Sequence, residues 1–175
     1  FYLLWETEIM TIKIVEQDIT TATEQNIVIA HVCNNIGAWG AGVSGAIGRK
    51  WKVSEDLFRE WAKLGKVEGL EHIFPTYEMG FIQAFPVDLS TNTHVANMCA
   101  QKGLKSSHNA CPLNMSMLEK CLFKLFDYAK RNELTVHLPK IGAGLAGGDW
   151  NEIFPLIENI SDSYGVTTTI YLWEK

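Results

Sequence analysis

The 175-residue chain is 47% hydrophobic and 20% charged, with a formal net charge of −5 at pH 7. This composition is typical of one globular domain of ordinary size and excludes a disordered tail. The negative charge argues against general nucleic-acid binding, because affinity for a phosphate backbone comes largely from clustered lysine and arginine. It does not exclude a nucleotide ligand, because backbone N–H groups can hold phosphate without basic side chains.

Four cysteines, at positions 33, 99, 111 and 121, are too far apart for the usual zinc-site spacing. We therefore expect no metal site, and nothing in the sequence calls for a cofactor. There is no signal-peptide pattern and no apolar run of about eighteen residues, so we expect a cytoplasmic protein without membrane association. Residues 1–9 precede the first good strand pattern and contain no initiating Met, so we interpret them as upstream or expression-derived sequence and 10–175 as a single domain.

Strand and helix patterns alternate along the chain. Strand patterns cover 12–15, 27–30, 79–87, 94–99, 136–139 and 167–173. One helical pattern begins after Gly42, and three others cover 54–63, 114–131 and 152–161. Ser54 is the candidate N-cap of the second helix, and Pro155 is expected near the start of the last. The polar segment 88–92 predicts a hairpin between two antiparallel strands. We therefore predict an α/β fold with a mixed sheet and helices on both faces.

Two glycine-rich loops follow two of these strands. The first lies within His31–Gly48, where five glycines occur in twelve residues, and it leads into a helix. Such glycines permit positive φ and close approach of a ligand to backbone N–H groups, and a helix N-terminus attracts anions. The second, Gly142–Gly147, repeats the Gly-Ala-Gly-aliphatic-small-Gly pattern of Gly40–Gly45. Either loop alone could be a tight turn. Together they favour a diphosphate held from two sides at the edge of the sheet.

Two other interpretations of these segments fail. Gly40-x-Gly42-x-x-Gly45 matches the dinucleotide fingerprint, but eight residues separate it from its strand, and Trp61 stands where a ribose-binding acid would be expected. A thiol phosphatase built on Cys33 would need an arginine where Trp39 stands. An NAD-dependent oxidoreductase and a thiol phosphatase are therefore disfavoured.

Some polar residues keep two interpretations. Asp18 could cap local backbone N–H groups or accept a hydrogen bond from a ligand amino group. The segment 100–111 could be a solvated loop or could bring a cation to a phosphate through Lys102, Lys105 or His108.

Four segments together resemble a macrodomain: 31–35 (HVCNN), 39–42 (WGAG), 95–98 (VANM) and 139–150 (PKIGAGLAGGDW). More narrowly, they resemble the branch that contains ADP-ribose-1″-phosphate phosphatases and related ADP-ribosyl hydrolases. The resemblance covers about residues 12–173. It implies a three-layer α/β/α sandwich around a mixed sheet of about six strands, in agreement with the class derived from the pattern.

The resemblance also implies roles for individual positions. Asp18 would bind the adenine amino group with Ile19 beside it, and Asn34 would face the distal ribose. The diphosphate would be lined from one side by Gly40, Ala41, Gly42 and Val43, and closed over from the other by Ile141, Gly142, Ala143, Gly144 and Leu145.

The candidate catalytic residues are His31, Asn34 and Asp149. His31 could act as acid or base near neutral pH, or could be a strand-end histidine that bonds only to backbone. Asp149 could take part in catalysis or cap the following helix. Two departures from the family pattern, Ser44 and Ala146, put both known routes for removing ADP-ribose from protein in doubt.

These observations predict a small-molecule ligand, ADP-ribose or ADP-ribose 1″-phosphate, and hydrolysis of the latter to ADP-ribose. One alternative is a non-catalytic reader of ADP-ribose. Another is a hydrolase that removes ADP-ribose from modified protein or nucleic acid.

Overall fold

The computed structural model describes residues 11–40, 42–144 and 146–173. The predicted leading segment 1–9 and the loop residues Ala41 and Leu145 lie outside this part of the chain. The elements are β1 (Ile12–Val15), a 3₁₀ turn (Ile19–Thr21), β2 (Ile27–Asn34), α1 (Gly42–Lys50), α2 (Lys52–Leu64), β3 (Ile82–Asp88), β4 (Thr93–Gln101), α3 (Met115–Arg131), β5 (Thr135–Pro139), α4 (Trp150–Tyr164) and β6 (Thr168–Tyr171).

One six-stranded sheet, in the order β1-β6-β5-β2-β4-β3, organises these elements. All neighbouring pairs are parallel except β3 and β4, which form the predicted antiparallel hairpin. The mixed sheet is therefore confirmed. The five parallel strands end at the same edge, and β2 lies between β5 and β4 in the middle of the sheet.

Alternation along β2 separates the two helical layers. Val28 and Ala30 pack in the same core cluster as the buried faces of α3 and α4. Ile29, one residue out of phase, packs with Ile47 of α1 in a second cluster on the opposite face. Side chains of successive strand residues point to opposite faces, so helices cover both faces of β2. The predicted three-layer α/β/α architecture is confirmed.

The bounds of two helices differ from the prediction. The helix predicted from Ser54 begins at Lys52, and Ser54 lies buried inside it instead of capping it. Lys52 pairs with Glu55 and Asp56 at helical spacing, and these ion pairs support the earlier first turn.

The last helix begins at Trp150, two residues before the predicted start, because Asp149 accepts a hydrogen bond from the backbone N–H of Asn151 and caps it. Pro155 is therefore inside the helix and not in its first turn.

Strand β2 is also longer than predicted. It stays paired with β4 as far as Asn34, so His31 lies in the interior of the strand and not at its end. Within the described ranges, no helix combines the length and the apolar composition that crossing a membrane requires.

Candidate functional site

A groove of about 1440 Å³ follows the edge of the sheet at which the parallel strands end. The residues that line it come from 16–19, 31–49, 101–105, 139–146 and 171–173, one segment for each parallel strand. A crevice at the carboxyl ends of strands, beside the centre of an open α/β sheet, is the usual ligand site of this fold class. Described residues of both glycine-rich loops predicted from the sequence line this groove.

The first loop joins β2 to the N-terminus of α1. Gly40 and Gly42 have φ values of 125° and 56°, which residues with a side chain rarely adopt. Gly45 packs on the turn: a Cβ added there would lie 2.7 Å from the carbonyl oxygen of Gly40. Gly40, Gly42 and the exposed Val43 line the groove. Glycine at these positions therefore opens the first turn of α1 to an anion.

The second loop follows β5 and is closed on itself. The N–H of Gly148 donates to the carbonyl of Gly142 at 2.7 Å, and the N–H of Gly147 donates to the carbonyl of Gly144 at 3.0 Å. Gly142 has a φ of 69°. The predicted residues Ile141, Gly142, Ala143 and Gly144 all line the groove. A Cβ on Gly144 would meet nothing within 4 Å, so its small size leaves the groove open.

Asp18 and Ile19 lie at the end of the groove formed by β1 and β6, beside Tyr171 and Trp173. One carboxylate oxygen of Asp18 accepts hydrogen bonds from the backbone N–H and the hydroxyl of Thr20, at 2.9 and 2.8 Å. The capping role is therefore real. The second oxygen, Oδ2, has no hydrogen-bond partner among the described residues, so the cap does not prevent a ligand contact.

Asn34 is 5% exposed and braces the first loop. Its Oδ1 accepts from the backbone N–H groups of Ile36 and Ala38, at 3.1 and 3.0 Å. Its Nδ2 donates to the carbonyl of Ala38 at 2.9 Å. Asn34 lines the groove, but its amide is already engaged at both ends with backbone. Its evident task is to hold the turn between β2 and α1.

His31 is 2% exposed and lies on the floor of the groove, beneath α1. Its Nδ1 is 2.9 Å from the hydroxyl of Ser44, and its Nε2 is 2.6 Å from Oδ1 of Asn97. The ring also meets Trp39 edge-on, with 5.1 Å between ring centres. Among the described residues, both ring nitrogens bond to side chains and neither bonds to backbone, in contrast to the strand-end alternative.

Burial lowers the pKa of His31 to about 4, against an opposing contribution from the hydrogen bond with Asn97. The imidazole is therefore neutral at physiological pH. This burial disfavours the proton exchange near neutral pH that the sequence predicts for His31, because the charged form would lie in a buried, uncharged setting.

Asp149 caps α4 and is not among the described residues that line the groove. Of the three cations considered in the segment 100–111, Lys105 lines the groove. Burial raises the pKa of Cys33 well above its usual value, so this thiol is not a ready nucleophile. In the described ranges, no group of three or more His, Cys, Asp or Glu side chains is arranged to hold a metal ion.

The comparison with solved structures decides the family. A macrodomain protein from Streptomyces coelicolor is 32% identical to the chain and superposes with a TM-score of 0.74, over 91% of this chain and 97% of that one. The chain belongs to the macrodomain family. No protein-family model matches it. A further structure, Thermosipho africanus DarTG in complex with ADP-ribose, is 17% identical with a TM-score of 0.69, over 92% of this chain and 41% of that one. At that identity the likeness shows the fold alone.

Two curated relatives match most of this chain but differ in how much of their own length the chain spans. A chromodomain-helicase-DNA-binding protein 1-like from Danio rerio is 27% identical over 94% of this chain, which spans 16% of that protein. An ADP-ribose 1″-phosphate phosphatase from Lodderomyces elongisporus is 24% identical, over 86% of this chain and 93% of that one.

Sequence reasoning missed several residues of the macrodomain groove. Among the described residues, Arg49 and Lys140 join Lys105 as lining cations, and Glu16 and Asp18 are the lining carboxylates. The groove is thus more positive than a chain of net charge −5 would suggest.

Sequence reasoning also missed the contacts of Ser44 and Asn97 with His31. A polar residue inside the apolar strand segment VANMCA was a signal that could have singled out Asn97.

Proposed function

We propose that this macrodomain binds ADP-ribose and hydrolyses ADP-ribose 1″-phosphate to ADP-ribose and phosphate. The observation that carries the proposal is the pair of glycine-rich loops that line one groove. Backbone N–H groups at the start of α1 and in the second loop can hold a diphosphate between them. Arg49, Lys105 and Lys140 add positive charge to the same groove.

In this proposal the adenosine lies at the β1–β6 end of the groove. Oδ2 of Asp18 accepts a hydrogen bond from the adenine amino group, and Ile19 packs against the ring. The diphosphate lies between Gly40–Val43 and Ile141–Leu145. The distal ribose then lies towards Asn34. Asn34 acts on the ribose indirectly, by holding the turn between β2 and α1 in place.

The reaction is attack of water on the terminal phosphorus. Negative charge on the transferring phosphoryl group is stabilised by backbone N–H groups and by the lining cations. His31 lies on the floor of the groove, and its two engaged nitrogens make it a positioning group for its neighbours. Asp149 has no part in this version, because it caps α4 away from the groove. The phosphatase relative supports the choice of substrate.

Calorimetric titration with ADP-ribose, followed by an assay of phosphate release from ADP-ribose 1″-phosphate, tests the proposal. Binding together with enzyme-dependent release would support it. Binding without release would remove the phosphatase activity and keep the ligand. Absence of binding would mean that the two loops do not form a diphosphate site.

A non-catalytic reader of ADP-ribose is the second candidate. The observation in its favour is that the polar atoms of both Asn34 and His31 are engaged within the protein, and that His31 is neutral. A reader would bind ADP-ribose in the titration and show no turnover of the 1″-phosphate. It would also bind ADP-ribose attached to a peptide without releasing it.

A further inference from the structure

Three buried polar side chains form a row across the sheet on the face covered by α1 and α2. Gln83 of β3 is in register with Asn97 of β4, and Asn97 is in register with His31 of β2. Their exposures are 0%, 0% and 2%. Buried polar groups are costly unless every one is hydrogen-bonded, so this row has defined partners.

Two backbone carbonyls of α2 set the direction of the hydrogen bonds in this row. Nε2 of Gln83 donates to the carbonyl of Leu57 at 2.9 Å, which leaves Oε1 of Gln83 as an acceptor. Nδ2 of Asn97 donates to that Oε1 at 3.1 Å and to the carbonyl of Ser54 at 3.4 Å. Because carbonyl oxygens only accept, neither amide can be turned over without placing two acceptors against each other.

The direction continues through His31. Oδ1 of Asn97 is an acceptor, so Nε2 of His31 must carry the ring proton in the 2.6 Å contact between them. A neutral imidazole has one protonated nitrogen, so Nδ1 is an acceptor. The hydroxyl of Ser44 therefore donates its proton to Nδ1, at 2.9 Å.

Ser44 is the end of this series of hydrogen bonds that lines the groove. It is partly buried in the first turn of α1, and it lines the groove. With its proton held by His31, its oxygen offers lone pairs to the groove and no donor. Phosphate oxygens also only accept, so Ser44 is suited to a group that bears an O–H.

We propose that Ser44 is the acceptor in the groove for an O–H donor at the reacting end of the ligand, either the attacking water or a hydroxyl of the distal ribose. His31, Asn97 and Gln83 are positioning residues that keep the lone pairs of Ser44 turned to the groove. The inference rests on the proposed function and deepens it.

In the water version, the bound water gives one hydrogen bond to Oγ of Ser44 and turns a lone pair to phosphorus. The bond from the water oxygen to phosphorus forms as the bond from phosphorus to the ribose oxygen breaks. One water proton stays on the released phosphate, and the other reaches the ribose oxygen through a phosphate oxygen. His31 stays neutral throughout, because a loose phosphoryl-transfer transition state needs a positioned nucleophile more than a deprotonated one.

Ser44→Ala, with Ser163→Ala as control, distinguishes the two donors. Ser163 is an exposed helical serine whose hydroxyl bonds to its own helix at Asn159. If the donor is a ribose hydroxyl, Ser44→Ala weakens ADP-ribose binding on the order of tenfold. If the donor is water, binding is unchanged and kcat for phosphate release falls by at least that factor. Ser44→Thr, which keeps the hydroxyl, should recover part of the loss. Unchanged binding and unchanged turnover in Ser44→Ala would overturn the inference.

The direction of the hydrogen bonds from Gln83 to Ser44 can be tested without any ligand. Nitrogen-15 NMR of the imidazole reports which ring nitrogen bears the proton, and we expect His31 as the Nε2–H tautomer at pH 7. The Nδ1–H tautomer would overturn the inference even if ADP-ribose binds. Failure of ADP-ribose to bind, with the expected tautomer present, would instead count against the proposed function alone.

Discussion

Two buried neutral histidines should make the fold sensitive to mild acid. Burial lowers the pKa of both His31 and His137 from the usual 6.5 of a histidine to about 4. A histidine whose pKa is lower in the folded state binds a proton more readily in the unfolded chain. The free energy of unfolding is therefore highest where the histidine is neutral in both states, and it falls as the pH falls from about 6.5 towards 4. Between about pH 7 and pH 5 the unfolded chain takes up both protons and the folded chain does not, which costs about 2 kcal/mol for each histidine and about 4 kcal/mol for both.

The surroundings of the two histidines also indicate that the free energy of unfolding falls as the pH falls. His31 faces the uncharged side chains of Ser44 and Asn97. His137 faces Glu24, whose carboxylate lies 3.6 Å away and favours protonation, but burial has the larger effect on its pKa. A third histidine, at position 94, has its pKa lowered by burial and adds to the effect in the same direction.

Urea denaturation at a series of pH values above about 5 measures this dependence before carboxylate protonation contributes strongly. His137→Gln should remove about half of the difference in unfolding free energy between pH 7 and pH 5. His72→Gln, at an exposed position, should leave the difference unchanged. A wild-type protein whose stability is the same at pH 5 and pH 7 would refute the reasoning, because the histidines would then be protonated in the fold at little cost.

Three further predictions concern the groove and the cysteines. Asp18→Ala should weaken ADP-ribose binding by about tenfold in calorimetry. Asp88→Ala, which removes a similar turn cap at Ser90 outside the groove, should leave binding unchanged. Equal losses of affinity in the two variants would place the nucleotide elsewhere. Gly148→Ala should lower stability by about 1–3 kcal/mol in thermal denaturation, because its Cβ would lie 2.5 Å from Leu113 and 2.6 Å from a loop carbonyl, whereas Gly144→Ala should fold normally. Iodoacetamide should modify the exposed Cys111 first, as judged by mass spectrometry, since the other three cysteines are buried; early modification of a buried thiol would contradict the packing.

The strands and the glycine-rich loops could be predicted because each leaves a local trace. Ile27–Ala30 is a short β-branched run, and Gly40 and Gly42 are the residues that positive φ favours. Helix bounds were less accurate, since the start of α2 depends on ion pairs of Lys52 and the start of α4 on the cap from Asp149.

The environment of His31 could not be predicted from the sequence, because it is set by residues far along the chain. Asn97 lies 66 positions away and reaches His31 only through the register of β2 with β4. The low pKa of His31 follows from burial under α1, and no local pattern reports burial of that kind. An aspartate in the place of Asn97 would have stabilised an imidazolium, but a neutral amide does not.

The choice of neutral partners around His31 bears on how the groove could work. A row of amides and a neutral imidazole adds little net charge to the groove, but it fixes the direction of every hydrogen bond that ends at Ser44. A slip of β4 by one residue would turn Asn97 to the opposite face and break the row. The direction of the hydrogen bond at Ser44 therefore depends on the register of β4 in the sheet. Burial of these polar groups costs stability and is offset only when every partner is in place. The row therefore links correct folding of the sheet to the presentation of one acceptor in the groove, which a merely structural cluster of apolar residues could not do.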